Sequence, residues 1–168
     1  LYYFRGRRTP QLEPLIPLTV RQVLDRHFLD PKLNEWLLAD EVLDLVEPII
    51  GPDIALFASS FINKGPSIGT KSVPWHGDAV FWQDLALEIN AVTIWLAIDS
   101  STPDNGCMRV LPGTHRNQQI EHIASTTGLD EKIFHREVDP ELIDESAAID
   151  CILEANHCTL HDAYLIHG

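Results

Sequence analysis

The sequence predicts an α+β chain with a β-sandwich or barrel core, the group to which jelly rolls belong. Two observations carry this expectation. Apolar residues recur at helical spacing through the first third and stop at Gly51-Pro52. Short β-branched and aromatic runs follow, separated by turn signals.

Thr19 reads as the cap of a first helix, in which Val20, Val23, Leu24, His27 and Phe28 fall on one face. Asp30-Pro31 reads as an N-cap followed by proline at the first helical position, with Leu33, Trp36 and Leu37 continuing the apolar face. Asp40 caps a third helix carrying Val42, Leu45, Val46, Ile49 and Ile50. Ile54 to Ile62 is a run of strand formers, and Asn63 to Pro74 is a loop. Leu87 to Ile98, with Val92, Ile94 and Trp95, reads as a strand, and Asp99 to Gly106 as a turn. Cys107 to Leu111 is a short strand broken by Pro112-Gly113. Gln118 to Ser146 is polar and irregular and reads as a long excursion with one helix, the wall or lid of a pocket. Ile149 to Leu153, Cys158 to His161 and Ala163 to Ile166 read as strands.

The 168 residues suit one domain, with residues 1–51 as a helical part and 52–168 as the β core. No apolar run approaches the roughly 20 residues needed to cross a bilayer. The net charge of −13 argues against nucleic acid and anionic membranes as partners and leaves a small molecule. Cys107, Cys151 and Cys158 form no C-x-x-C pair, so they fit neither a disulfide framework nor a thiolate zinc site. Three reduced cysteines point to a cytoplasmic setting. The chain has no initiator Met and reads as a trimmed piece of a longer protein.

Two imidazoles and one carboxylate on one face of an ion, with open positions opposite, are the ligand set of ferrous oxygenases. An H-x-D at a strand end supplies two of the three, because residues i and i+2 point to the same side. His76-Gly77-Asp78 is such a pair. With 8 His and 25 acids, chance alone supplies roughly one His-x-acid pair, and His135-x-Glu137 is a second. The spacing therefore decides nothing by itself. The third ligand must come from a distant strand, and His161 and His167 both stand as candidates.

The surroundings say more. Phe61-Ile62-Asn63-Lys64, Pro74-Trp75-His76-Gly77-Asp78, the segment with Trp95, Asn105-Gly106-Cys107-Met108, Val110-Leu111-Pro112-Gly113-Thr114-His115 and Leu165-Ile166-His167-Gly168 occur in that order. Together they resemble the phytanoyl-CoA dioxygenase family, over about Ile54 to Gly168. The resemblance implies a double-stranded β-helix (jelly-roll, cupin-like) core with the N-terminal helices packed on one sheet. It implies hydroxylation of a small organic substrate by O2, with 2-oxoglutarate decarboxylated to succinate. Carried over residue by residue, it implies Fe(II) on His76, Asp78 and His167, and a 2-oxoglutarate pocket lined by Trp95 and bordered by Ser60 and Lys64. The family's ligand precedes a small residue, which favours His167 over His161. His115 becomes a turn residue, and His27, His122 and His157 receive no role.

The sequence departs from the family twice. Gly77 stands where many relatives carry Gln. The chain also stops at Gly168, short of the Arg that in relatives pairs with the far carboxylate of 2-oxoglutarate, leaving Lys64, Lys71 and Arg109 as substitutes if the chain is not truncated. Two other readings remain beside the oxygenase. One is a cupin-like metal enzyme that does not use 2-oxoglutarate; the other is a silent oxygenase fold kept as a binding domain.

Overall fold

A computed structural model describes residues 22–24, 26–64, 72–82, 90–118, 120–125, 134 and 136–168. The chain divides into two compact units, Gly6–Gly69 and Thr70–Gly168.

In the first unit, β1 (Gln22–Leu24) pairs antiparallel with β2 (Ser60–Ile62), placing Val23 opposite Phe61. The helix expected to begin at Thr19 is therefore absent where the chain is described. Gln22–Leu24 is strand and Arg26–Phe28 a single 3-10 turn, while Thr19 and Val20 lie outside the described residues. Pairing with β2 satisfies the backbone across the sheet, so tertiary context overrides the helical spacing of the side chains. Phe28, a member of the supposed apolar stripe, is 75 % exposed.

The next two helices follow their signals. α1 (Pro31–Leu37) starts at Asp30, whose carboxylate accepts from the amides of Lys32 and Leu33. Pro31 occupies the first turn, where no amide donor is needed. α2 (Asp40–Ile50) is capped one residue earlier than expected, at Ala39. Asp40 and Glu41 thus sit inside the first turn, where their charge suits the helix dipole. The helix stops at Gly51, whose φ of +91° few other residues adopt without strain.

The second unit carries β3 (Val92–Leu96), β4 (Arg109–Val110), β5 (His122–Ala124), β6 (Arg136–Val138), β7 (Ile149–Asp150) and β8 (Cys158–Asp162). They pair antiparallel as β3 with β8, β4 with β7 and β5 with β6. Single bridges extend these pairs. The His167 segment bridges to His76 on one side and to Val110 of β4 on the other. The amide of Val138 in β6 donates to Trp75 O at 2.7 Å. One row of backbone hydrogen bonds thus runs from β5 and β6 through the His76 segment and the His167 segment to β4 and β7. A second row joins β3 to β8 and continues through the Ser101–Leu153 bridge.

Two expectations change here. Where it is described, Gln118 to Ser146 is not irregular. It carries β5 and β6 and two 3-10 turns, Pro140–Leu142 and Glu145–Ala147, with no α-helix among the described residues. Val138 from this stretch enters the core with Leu111 and Ile166, packed against Trp75, Ile120 and Ile143. Ala163 to Ile166 is a turn rather than a strand, and only His167 rejoins a ladder. Gly168 follows it because a Cβ there would lie 3.3 Å from Trp75 N and Val73 O, closer than backbone neighbours readily allow.

No described helix is long and apolar enough to cross a membrane.

Ile166 is 2 % exposed and precedes a site histidine. Ile166→Ala should lower unfolding stability by about 2–5 kcal/mol, read from the urea midpoint. A loss within the range of surface substitutions would mean that this core does not support the site.

Candidate metal centre

His76 and His167 exchange two backbone hydrogen bonds, His76 N to His167 O at 2.8 Å and His167 N to His76 O at 2.9 Å. This reciprocal pair sets their imidazoles side by side, with ring centroids 4.3 Å apart. Gly77 is extended, and Asp78 opens the 3-10 turn Asp78–Phe81. That turn is anchored by the Ala79 amide, which donates to Ala163 O at 2.9 Å. One ligand atom from each of His76, Asp78 and His167 lies within 4.8 Å of the others.

The tautomers follow from the partners. His76 Nδ1 lies 2.7 Å from Pro74 O, and His167 Nδ1 lies 2.9 Å from Leu165 O. A carbonyl only accepts, so each Nδ1 carries a proton, and in the neutral ring each Nε2 keeps a lone pair. Both Nε2 atoms stand 3.7 Å from Asp78 Oδ1. That is too far for a hydrogen bond, so the three groups converge without one. Two imidazoles and a carboxylate, largely shielded from water, are a donor set that fits a divalent first-row metal.

The charge states agree with that use. Burial drives the His167 pKa down to about 3, and the neighbouring His76 acts in the same direction, so the ring stays neutral. Burial alone would raise the Asp78 pKa, but the surrounding imidazoles of His161, His76 and His167 hold it well below the usual carboxylate range. Phe81 and Phe134 wall the site, with centroids 5.6 and 4.8 Å from the His76 ring, and exclude water beside it.

His161 is not part of the ligand cluster. It lies opposite Thr93 on the β3–β8 ladder, and its Nε2 is 3.3 Å from Asp78 Oδ2. Trp95 lies on β3, two residues from Thr93 and hence on the same face. Ser60 opens β2 and Lys64 follows it, both in the Gly6–Gly69 unit. The Arg109 guanidinium is held by Glu145 at 3.0 Å and Asp150 at 3.2 Å and lies over the Trp75 ring. It is committed to surface acids rather than open to a co-substrate carboxylate. Lys71 and His135 lie outside the described residues. A Cβ at Gly77 would make ordinary contact with Ala163 O at 3.4 Å and Ile166 Cδ1 at 3.5 Å, so space does not require glycine there.

Two contributors escaped the sequence reading. Thr93 Oγ1 donates to Asp78 Oδ2 at 2.6 Å. Its position two residues before Trp95 was a usable signal, because alternation puts both on one face. His122 carried no signal at all. Its Nδ1 donates to Ile120 O, and its Nε2 accepts from the Gly77 amide at 3.0 Å, between the two near ligands. Burial lowers its pKa, so it stays a neutral acceptor.

Two outcomes are expected. His122→Phe removes the acceptor for the Gly77 amide and should weaken metal binding on the order of 10-fold, measured by chelator competition; unchanged affinity would remove His122 from the site. The metal-free chain should lose stability as pH falls from about 6.5 towards 3. In that window the unfolded chain binds a proton at residue 167 that the folded chain refuses. Asp78, also depressed, adds a loss of the same sign below its unfolded value. Urea midpoints from pH 7 to 4 should show a slope that is shallower in His167→Gln.

The profile of the family described as phytanoyl-CoA dioxygenase (PhyH) matches residues 8–168. The chain is 30 % identical over 142 residues to the peroxisomal phytanoyl-CoA dioxygenase of Homo sapiens, covering 83 % of this chain and 41 % of that protein. It is 25 % identical over 149 residues to a probable alpha-ketoglutarate-dependent hypophosphite dioxygenase of Stutzerimonas stutzeri, covering 89 % and 51 %. The chain thus spans between 41 % and 51 % of the length of these relatives. Among solved structures it is similar to EvdO2 from Micromonospora carbonacea var. aurantiaca complexed with 2-oxoglutarate, with a TM-score of 0.68 and 23 % identity over 90 % of this chain and 60 % of that one. The apo non-haem monooxygenase ThoJ gives a TM-score of 0.68 and 26 % identity, over 94 % and 56 %. The fold is shared with these two structures, and the chain belongs to the phytanoyl-CoA dioxygenase family.

Proposed function

We propose that this chain is the metal-binding core of a non-haem Fe(II)- and 2-oxoglutarate-dependent dioxygenase that hydroxylates a small organic substrate. The observation that carries the reading is the convergence of His76, Asp78 and His167 on one point with an ionised carboxylate and, at His167, a neutral imidazole. The relative named for alpha-ketoglutarate dependence and the structural neighbour complexed with 2-oxoglutarate support the choice of co-substrate. The whole chain is read as one oxygenase domain, because the family profile runs across both units without a break. The two rows of hydrogen-bonded strands in the Thr70–Gly168 unit support a jelly-roll core for it.

In this mechanism His76, Asp78 and His167 would hold Fe(II). The iron and 2-oxoglutarate, when bound, supply the activation of O2 and the oxidising equivalents. The protein supplies placement. The Pro74 and Leu165 carbonyls hold the protons of His76 and His167 on Nδ1, so that both Nε2 atoms stay available. Phe81 and Phe134 keep water from the His76 side. Trp95 is assigned to the wall of the co-substrate pocket. Asp78 favours hydroxylation over halogenation, since a halide would need the position that the carboxylate fills.

The substrate reading is a small molecule, with acyl-CoA thioesters and free metabolites both within reach of the family. A reducing, cytoplasmic setting is proposed from the buried Cys107, Cys151 and Cys158, whose spacing fits no disulfide framework.

Anaerobic addition of Fe(II) and then 2-oxoglutarate should produce a visible metal-to-ligand charge-transfer band. Asp78→Ala and His167→Ala should each abolish it, together with 2-oxoglutarate turnover. Bound metal without a band would overturn the reading in favour of a cupin-like metal enzyme that does not use 2-oxoglutarate.

A further inference from the structure

The two oxygens of Asp78 have different surroundings. Oδ1 faces His76 Nε2 and His167 Nε2 at 3.7 Å each. Oδ2 has other neighbours. It accepts the Thr93 hydroxyl at 2.6 Å and lies 3.3 Å from His161 Nε2. Thr93 and His161 are directly opposite each other on the β3–β8 ladder, so one register places both on the same face. His161 is 6 % exposed, and neither ring nitrogen has a well-formed hydrogen bond. A buried imidazole without such bonds is costly. The polar atom that it faces is Asp78 Oδ2, so its contribution there is electrostatic.

We propose that Thr93 and His161 form a clamp on Asp78 Oδ2 that keeps Asp78 a one-oxygen metal ligand and so preserves the coordination position that O2 needs. The inference rests on the oxygenase reading above. Its logic is a count of positions. Two imidazoles and one carboxylate oxygen occupy one face of an octahedral ion and leave the other face open. A chelating 2-oxoglutarate takes two of the open positions and leaves one. A carboxylate that swung to bind through both oxygens would take that last one. Thr93 Oγ1 already engages Oδ2 with a short, charge-assisted hydrogen bond, which occupies one of its lone pairs and resists the rotation that a bidentate Asp78 would need. Thr93 and His161 are thus positioning residues, acting through Asp78.

The test separates binding of metal and co-substrate from access for a diatomic gas. Nitric oxide serves as the stand-in for O2 on the anaerobic Fe(II)·2-oxoglutarate protein, followed by the EPR signal of the iron nitrosyl. Thr93→Val keeps the side-chain shape and removes the donor. It should retain the charge-transfer band while losing on the order of 10-fold or more in nitric oxide affinity. Thr93→Ser should restore that affinity. His161→Phe should shift it in the same direction as Thr93→Val, and His161→Gln, which keeps a donor, less so. Unchanged nitric oxide affinity in both Thr93→Val and His161→Phe would overturn the clamp and leave the oxygenase reading intact. Loss of the band in Thr93→Val would also overturn it, because the hydroxyl would then be holding the metal or co-substrate itself. Absence of the band in the unaltered protein would sink the oxygenase reading and the clamp with it.

Discussion

The site depends on two backbone hydrogen bonds, those exchanged between His76 and His167. They join one segment from the start of the Thr70–Gly168 unit to one from its end. Everything else at the centre is arranged around that contact. The His167 segment is gripped on its other side by β4, through Arg109 N to Gly168 O and Leu111 N to Ile166 O, both at 2.9 Å. The histidine pair is therefore held inside a ladder, where a shift of one residue would turn both side chains to the wrong face. Such a frame suits a metal site, because ligands built on strands are placed more sharply than ligands built on loops.

A single local device recurs at the centre. His76, His122 and His167 each bond through Nδ1 to the carbonyl two residues earlier. In each case the backbone fixes the tautomer and turns Nε2 inward. At His76 and His167 the lone pair so exposed is suited to a metal. At His122 it is used on the Gly77 amide, which braces the link between the near ligands. The same chemistry thus yields ligands or a support, depending only on what lies opposite the ring. Burial adds to this by keeping His167 neutral and surrounding Asp78 with imidazoles.

Much of the site was legible in the sequence, but for a reason other than spacing. His-x-acid pairs arise by chance in a chain this rich in acids, and His135-x-Glu137 is one. The order of motifs around His76, Asp78 and His167 is what set them apart, and Gly168 helped to separate His167 from His161. That glycine has a physical basis in the close approach of the Trp75 backbone. Thr93 and His122 were passed over because each acts through a neighbour. Thr93 touches a ligand's second oxygen and His122 touches an amide, and neither contact leaves a pattern along the chain.

What the sequence by itself determined is local. The Asp30-Pro31 cap, the stop at Gly51 and the turn at Pro103–Asn105 follow from backbone preferences that a few adjacent residues settle alone. Only the tertiary structure decided the rest. Gln22–Leu24 became a strand because β2 was there to pair with it. The polar stretch after Gln118 became β5 and β6 because Val138 could enter the core. His161 came to lie beside Asp78 because the β3–β8 register put it opposite Thr93. Each of these outcomes turns on a partner distant in sequence, whose free energy of pairing exceeds the small local preferences that composition and periodicity report.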